Sequence, residues 1–301
     1  MNILLTGGTG LIGSALIPQL LAKQHRICLL TRNIQPERFP TEISEAQQEV
    51  QQIDNLASLQ NLNAFDAVIN LAGEPIFAHR WTAKQKAKLF ASRVNLTQNL
   101  TALINQSENP PHTFISGSAT GFYGDHKDHW IDESTPAGTA FPAQLCQQWE
   151  AAAMQANTRV CLLRTAMVIS PNGVALSKML PLYRFGLGGK LGSGKQYWAW
   201  ISLQDMIAGI LFLLENPQCK GAFNLTAPQP ITNQDFNQQL GDFLKRPHFA
   251  NVPAFVLRWV LGDRSQLLLD SQRIKPARLI EAGFEFQVER FSAFLEKNLR
   301  R

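Results

Sequence analysis

The stretch that decides the fold is Asn2-Ile3-Leu4-Leu5-Thr6-Gly7-Gly8-Thr9-Gly10-Leu11-Ile12-Gly13, followed by the helically spaced run Ser14-Ala15-Leu16-Ile17-Pro18-Gln19-Leu20-Leu21-Ala22. A short apolar run, a glycine-rich turn and a helix form the opening unit of an α/β fold. The glycines fit two registers, Gly8-x-Gly10-x-x-Gly13 and Gly7-x-x-Gly10-x-x-Gly13. In either one, Gly10 admits a pyrophosphate close to the backbone and Gly13 lets the helix pack against the strand. The helix N-terminus then turns amide donors and a partial positive charge toward the phosphates. A glycine motif alone is weak evidence. Its position between the first strand and the first helix makes Thr6, Gly7, Gly8, Thr9, Gly10, Leu11, Ile12 and Gly13 the expected dinucleotide-binding turn.

Working outward, similar apolar runs recur at 27–30, 67–71, 113–115, 160–163 and 222–225, with helical patterns at 82–104, 143–154 and 202–214. Strands alternating with helices need crossover connections, so a mostly parallel, doubly wound sheet is expected. Thr82-x-x-Gln85 and Thr232-x-x-Asp235 have the form of helix starts. Nineteen residues beyond Gly13, at the end of the second strand, stands Arg32. An acidic residue there would bond a ribose 2′-hydroxyl, whereas an arginine pairs with a 2′-phosphate, so NADP(H) is expected over NAD(H). Asp54, after the third strand, is a candidate for the adenine amino group. After residue 165 the regularity fades into a glycine-rich stretch at 186–194 and one strand-like run around Trp198 and Trp200. The expected organisation is a Rossmann domain over 1–225, with a substrate-side insertion at 167–196, and a smaller C-terminal substrate lobe over 226–301.

With 301 residues, 45% hydrophobic and 17% charged, the chain can bury a large core, which excludes a disordered or fibrous protein. The 28 basic and 23 acidic residues give +5, with no block of five like charges. That bias suits an anionic small ligand better than nucleic acid. Four separated cysteines and six unclustered histidines give no metal-ligand spacing, and no metal is expected. The first lysine is Lys23 and no apolar run approaches the ~18 residues of a membrane span, so neither a signal peptide nor a membrane partner is expected. Reduced thiols in a cytoplasmic monomer or homodimer complete that expectation.

Five motifs in order carry a family resemblance: the 6–13 turn, Asn70-Leu71-Ala72-Gly73-Glu74-Pro75-Ile76, Ser116-Gly117-Ser118-Ala119-Thr120-Gly121-Phe122-Tyr123-Gly124, Leu163-Arg164-Thr165 and the 186–196 stretch. Together they resemble the extended short-chain dehydrogenase/reductase superfamily, in an epimerase-like branch with a C-terminal DUF1731 segment at 249–299. The resemblance implies a Rossmann-type NADP(H) domain, cofactor contacts at Leu71, Ala72, Gly73, Glu74 and Arg164, and a nucleoside-diphosphate-sugar epimerase label. It also implies a small polar or anionic substrate of the sugar-nucleotide kind.

The superfamily's chemistry uses a Ser after the fifth strand and a Tyr-x-x-x-Lys pair on one helix face, the lysine lowering the tyrosine pKa. Ser118 occupies the serine position. If Glu150 is aligned with the acidic residue that often follows the lysine by four, the Tyr and Lys positions fall on Pro142 and Cys146. The usual dyad is missing. Tyr123-Gly124-Asp125-His126-Lys127 matches the spacing, but its Gly-Asp composition favours a turn in which the two side chains need not meet. Tyr123 is nonetheless expected near the cofactor's reactive end, as a phenol with a pKa near ~10. Glu74 is a further acid/base candidate if burial raises its pKa. Lys178, Arg184, Lys190 and Lys195, around the glycine-rich stretch, are candidate anion receivers, and Trp198 and Trp200 are expected to pack. Two readings follow: an NADP(H)-dependent oxidoreductase or epimerase-like enzyme, and an NADP(H)-binding sensor or interaction protein with little catalysis. The label "cell division inhibitor" that accompanies part of the family fits the second.

Overall fold

The computed structural model describes residues 1–34, 50–171 and 173–299. Seven parallel strands form the central sheet: β1 (Asn2–Thr6), β2 (Arg26–Leu30), β3 (Val50–Ile53), β4 (Ala67–Asn70), β5 (Thr113–Ala119), β6 (Arg159–Thr165) and β7 (Gly221–Leu225). Their spatial order is 3-2-1-4-5-6-7. That reversal at β1 is the doubly wound Rossmann arrangement, which opens a crevice at the carboxyl ends of β1 and β4.

Successive side chains on each strand point to opposite faces, and both faces are apolar because both are covered. Ile3 and Leu5 of β1 pack with Ile27, Ile69 and Leu163 beneath α1 (Leu11–Ala22) and α6 (Leu203–Glu215). Leu4 joins Val68, Phe114 and Leu162 on the other face, under Leu100, Leu103 and Ile104 of α3 (Leu96–Asn105) and Ala153 of α4 (Phe141–Met154). At roughly 1.5–3 kcal/mol per buried aliphatic side chain, this double face is the main favourable term for the sheet.

Thr82 caps α2 (Ala83–Phe90) by accepting from the Gln85 amide at 3.2 Å, and Thr232 caps α7 (Asn233–Leu244) through the Asp235 amide at 3.1 Å. The segment expected to run as one helix over 82–104 instead contains a π-helical turn, Ala91–Asn95, between α2 and α3. The extra residue re-aims one side chain, a feature often found at functional sites. Here it turns Arg93 back toward Gly73 and Glu74.

The expected single strand around Trp198 and Trp200 is two short strands. Tyr197–Trp198 pairs antiparallel with Ile231–Thr232, while Trp200–Ser202 pairs parallel with Met167–Ile169. Both indoles are buried in a second core with Phe236, Phe291 and Phe294, and donate to the Leu268 and Gln229 carbonyls. The C-terminal segment is stitched to the sheet domain: Arg273–Ile274 pairs with Trp130–Ile131, and Leu279 and Phe284 enter the core beneath α6. Among the described residues, no helix is long and apolar enough to cross a membrane.

Candidate functional site

The turn after β1 is shaped by its backbone. Gly7 has φ +72°, and a Cβ there would lie 2.5 Å from the Leu71 carbonyl carbon. At Gly13 a Cβ would lie 2.4 Å from the Gly7 oxygen, while the turn is closed by Gly10 N–H donating to that same oxygen at 3.0 Å. A Cβ at Gly8 would in turn lie 2.4 Å from Leu29 Cδ1, so the turn is packed around glycines of both registers. Gly10 is the N-cap of α1 and supplies no side-chain cap, so the helix's first amides face the crevice without an intrahelical acceptor. Helix dipole, free amides and a backbone approach cleared of side chains fit a pyrophosphate.

A buried polar chain fixes the floor under this turn. Thr6 is fully buried; its hydroxyl donates to Asn70 Oδ1 at 2.6 Å and accepts from the Ala72 amide at 3.2 Å. Asn70 Nδ2 donates to Thr97 Oγ1 at 2.8 Å, and Trp149 Nε1 donates to the same oxygen at 2.9 Å. Thr6 thus acts on the crevice by holding β1, β4 and the 71–73 backbone in register. Arg93, half-buried over the Trp149 ring, donates to the Glu74 carbonyl at 2.9 Å and lies against Gly73.

Arg32 and Asp54 are exposed at the ends of β2 and β3. Glu74 does not show the raised pKa expected of an acid/base. Lys88 Nζ, 2.8 Å from Oε1, holds its carboxyl below the usual range, with a smaller contribution from the charge of Arg32. The ion pair outweighs the burial of Glu74, so the carboxylate stays charged. Arg32 and Lys88 flank it at one rim of the crevice.

Ser118 and Tyr123 sit in a second buried cluster at the end of β5. Ser118 Oγ donates to Glu150 Oε1 at 2.6 Å. Glu150, on α4, receives Arg164 in a bidentate pair, Nε to Oε1 and Nη2 to Oε2, each 2.9 Å. Arg164 Nη1 donates to the Tyr123 hydroxyl at 3.0 Å and to the Glu133 carbonyl at 3.2 Å, and the guanidinium lies 3.6 Å from the Phe122 ring centroid. Tyr123 donates in turn to Asn224 Oδ1 at 2.7 Å. Arg164 is therefore committed to protein partners, and its effect on any ligand passes through Glu150 and Tyr123.

Tyr123 departs from the expectation of a phenol near pKa ~10 presented to a ligand. It is 1% exposed, and burial pushes its pKa up to about 12 despite the nearby Arg164 charge. Lys127, four residues on, is exposed and left-handed at φ +54°, so the Y-x-x-x-K match forms no dyad. Cys146, at the aligned lysine position, is buried beside Ser118; burial and the Glu150 charge push its thiol up to about 12. It cannot supply the positive charge that a lysine would. All four cysteines are buried and free. Lys178, Arg184 and Lys195 are exposed and Lys190 is half-buried.

Sequence reasoning did not place Glu150, Arg93 or Asn224 in functional positions. For Glu150 a signal existed: a lone acid on the apolar face of α4 must find a partner once buried.

The family model for the NAD dependent epimerase/dehydratase family matches residues 3–226, and that for DUF1731, a domain of unknown function, matches 252–297. The epimerase family protein ML0860 of Mycobacterium leprae is 39% identical over 290 residues, covering 94% of this chain and 91% of its own. The crystal structure of human epimerase family protein SDR39U1 (isoform 2) with NADPH superposes with a TM-score of 0.89 at 32% identity, covering 99% of this chain and 98% of that one. The UDP-glucuronic acid 4-epimerase of Bacillus cereus, in complex with UDP-glucuronic acid and NAD, has a TM-score of 0.76 at 18% identity over 98% and 97% of the two chains, a likeness of fold alone. A crevice built on a glycine turn, an extended match over both segments and these relatives together place the chain in the NAD dependent epimerase/dehydratase family.

Proposed function

We propose that the chain is an NADP(H)-dependent oxidoreductase or epimerase-like enzyme whose proton handling runs through Ser118 and Glu150 in place of a Tyr–Lys dyad. The observation that carries this reading is the 2.6 Å hydrogen bond from Ser118 Oγ to Glu150 Oε1, at the strand end where the superfamily's serine stands. The Gly7–Gly13 turn would hold the pyrophosphate and Arg32 the 2′-phosphate, with Lys88 neutralising Glu74 so that the Arg32 charge stays available. When bound, the dinucleotide supplies hydride exchange at nicotinamide C4. Ser118 gives its own proton to Glu150, so its lone pairs are free to accept a bond from a substrate hydroxyl. With hydride leaving the carbon that bears this hydroxyl for the bound dinucleotide, the hydroxyl proton would pass to Ser118 Oγ and the serine proton to Glu150 Oε1. Arg164 compensates the carboxylate in its resting form. The substrate class in this reading is a small polar or anionic molecule such as a sugar nucleotide, and the NADPH bound by the human relative supports the cofactor.

Two substitutions test it. Arg32→Ala should weaken NADPH binding by roughly 10- to 100-fold, the worth of a charge-assisted phosphate contact, and leave NADH binding nearly unchanged. Equal loss for both cofactors would remove Arg32 from 2′-phosphate recognition. Ser118→Ala should abolish NADP(H)-linked turnover of a hydroxyl or carbonyl substrate library while leaving NADPH affinity intact. The sensor reading is favoured by a different observation: the Tyr123 hydroxyl is buried and donates to a protein acceptor, Asn224 Oδ1. It predicts tight NADPH binding with no turnover and no isotope exchange into cofactor in the wild-type protein.

A further inference from the structure

Two stretches that the cofactor crevice does not use share an unusual composition. Residues 175–204 and 243–262 contain no Asp or Glu and hold seven Lys and Arg, so the +5 of the whole chain becomes −2 without them. Of the twelve large apolar side chains exposed among the described residues, seven also lie on these stretches. Phe185 is 82% exposed, Phe249 79%, Phe255 71% and Trp259 83%, with Leu187 at 60%.

The fold brings the two stretches together. Ala250 N–H donates to the Gly188 carbonyl at 2.9 Å, Val252 N–H to the Lys190 carbonyl at 3.0 Å and Gly192 N–H to the Val252 carbonyl at 2.8 Å. Pro247 sits against Gly186, at the end of α5 (Val174–Arg184). The 250–252 segment leads directly into α8 (Ala254–Leu261), where Leu257 is buried while Phe255 and Trp259, one turn apart, stand outward. Arg184, Lys190, Lys195, Lys245, Arg246 and Arg258 lie on the same two stretches as these rings, and all but the half-buried Lys190 are exposed. Among the described residues none of the six enters an ion pair.

We infer that this face docks the protein on an anionic lipid surface, with Trp259, Phe255, Phe249 and Phe185 entering the headgroup boundary and the basic side chains pairing with lipid phosphates. Side chains with more than two-thirds of their area in water protrude; residues lining a pocket would be shielded by the opposite wall. Aromatic tips between Lys and Arg stems match the interfacial region, where rings favour the boundary and long cationic chains reach the phosphates. Each Lys or Arg near such a surface adds about a fivefold gain in binding, the fold-change equivalent of ~1 kcal/mol. A second copy of the chain fits less well, because a two-fold contact would set the same cations against one another. Docking of this kind lies on the bilayer and needs no spanning helix.

The test is co-sedimentation of the purified full chain with vesicles of phosphatidylcholine alone and of phosphatidylcholine with about 30% phosphatidylglycerol. Binding to the anionic vesicles, at least tenfold weaker on the neutral ones and reduced by raising salt from about 50 to about 500 mM, is expected. The double variant Phe255→Ser/Trp259→Ser should lose at least tenfold in vesicle binding, with NADPH affinity and the far-ultraviolet circular dichroism unchanged. Arg246→Ala/Arg258→Ala should flatten the dependence on salt and on phosphatidylglycerol without touching the rings. No sedimentation with either vesicle, or binding that the ring variant leaves intact, overturns the inference. So does a concentration-dependent dimer that the ring variant dissolves, which would assign the face to a second copy.

Discussion

The turn after β1 and the cluster at the end of β5 lie at the carboxyl ends of strands in one sheet and are built by opposite means. The turn is almost pure backbone: Gly7, Gly10 and Gly13 exclude side chains, and its shape follows from what a Cβ would strike. The cluster is almost pure side chain: Ser118, Glu150, Arg164 and Asn224 come from four elements and Tyr123 from the turn after β5, and they meet through hydrogen bonds and the Arg164–Glu150 ion pair. A site defined by local backbone tolerates little change anywhere within eight residues. A site defined by a distributed network stands or falls on whether every buried charge has its partner.

The sharpest way to break the comparison is at Arg164. Arg164→Met leaves the Glu150 carboxylate buried without its cation and should cost about 3–5 kcal/mol in a urea denaturation series. Adding Glu150→Gln should recover a large part of that loss, since the uncompensated charge is gone. A single variant no less stable than a surface control would show that the cluster does not hold the β5–β6 end. On the backbone side, Gly7→Ala forces a left-handed residue, about 1–2 kcal/mol, and drives a methyl into Leu71. An equilibrium titration should find NADPH affinity roughly 100-fold lower, about 2.7 kcal/mol, with the cluster's stability contribution unchanged.

Tyr123→Phe is a smaller perturbation, about 1 kcal/mol, because it removes one buried donor and leaves Asn224 Oδ1 without it. The wild-type phenol adds a signed pH dependence. Its folded pKa of about 12 lies above the ordinary value of 10, so the native state holds the proton longer than the unfolded chain. Its contribution is intact below about pH 10 and declines as pH rises toward 12, a loss that Tyr123→Phe should remove from a stability–pH curve. The smallest effect belongs to the crevice rim. Lys88 is half exposed, so Lys88→Ala should change stability by under about 1 kcal/mol. That contribution is present above the ordinary carboxylate pKa and fades as pH falls through the lowered value of Glu74, so the variant and wild type should converge in acid.

The same contrast explains what could be read in advance. The strands at 2–6, 27–30, 67–71 and 113–115 were legible because apolar runs between helical periods report burial on both faces. Ser118 was expected just after the fifth strand and lies within its last residues, and Pro142 and Cys146, aligned with the Tyr and Lys positions, both lie on α4. Glu150 was visible as a residue but not as a partner, because Ser118 lies 32 positions away and Arg164 lies on the next strand. The π turn at Ala91–Asn95 was hidden for a related reason: one extra residue in a helical run leaves the apolar pattern nearly unchanged, while Arg93 is turned to a different target.

By itself the sequence determined the doubly wound sheet and the glycine-rich turn that opens it, and its alignment set Pro142 and Cys146 where a Tyr–Lys pair is expected. These depend on residue type at short separation, where glycine sterics and hydrophobic period act within a few residues. Tertiary structure decided the rest. It packed Leu71 and Leu29 against the glycines of the turn, kept Glu74 charged through Lys88, sealed Tyr123 away from solvent, and brought together two acid-free stretches some 60 positions apart. Burial and long-range pairing set which proton a carboxyl or phenol keeps, and neither exists until the chain has closed on itself.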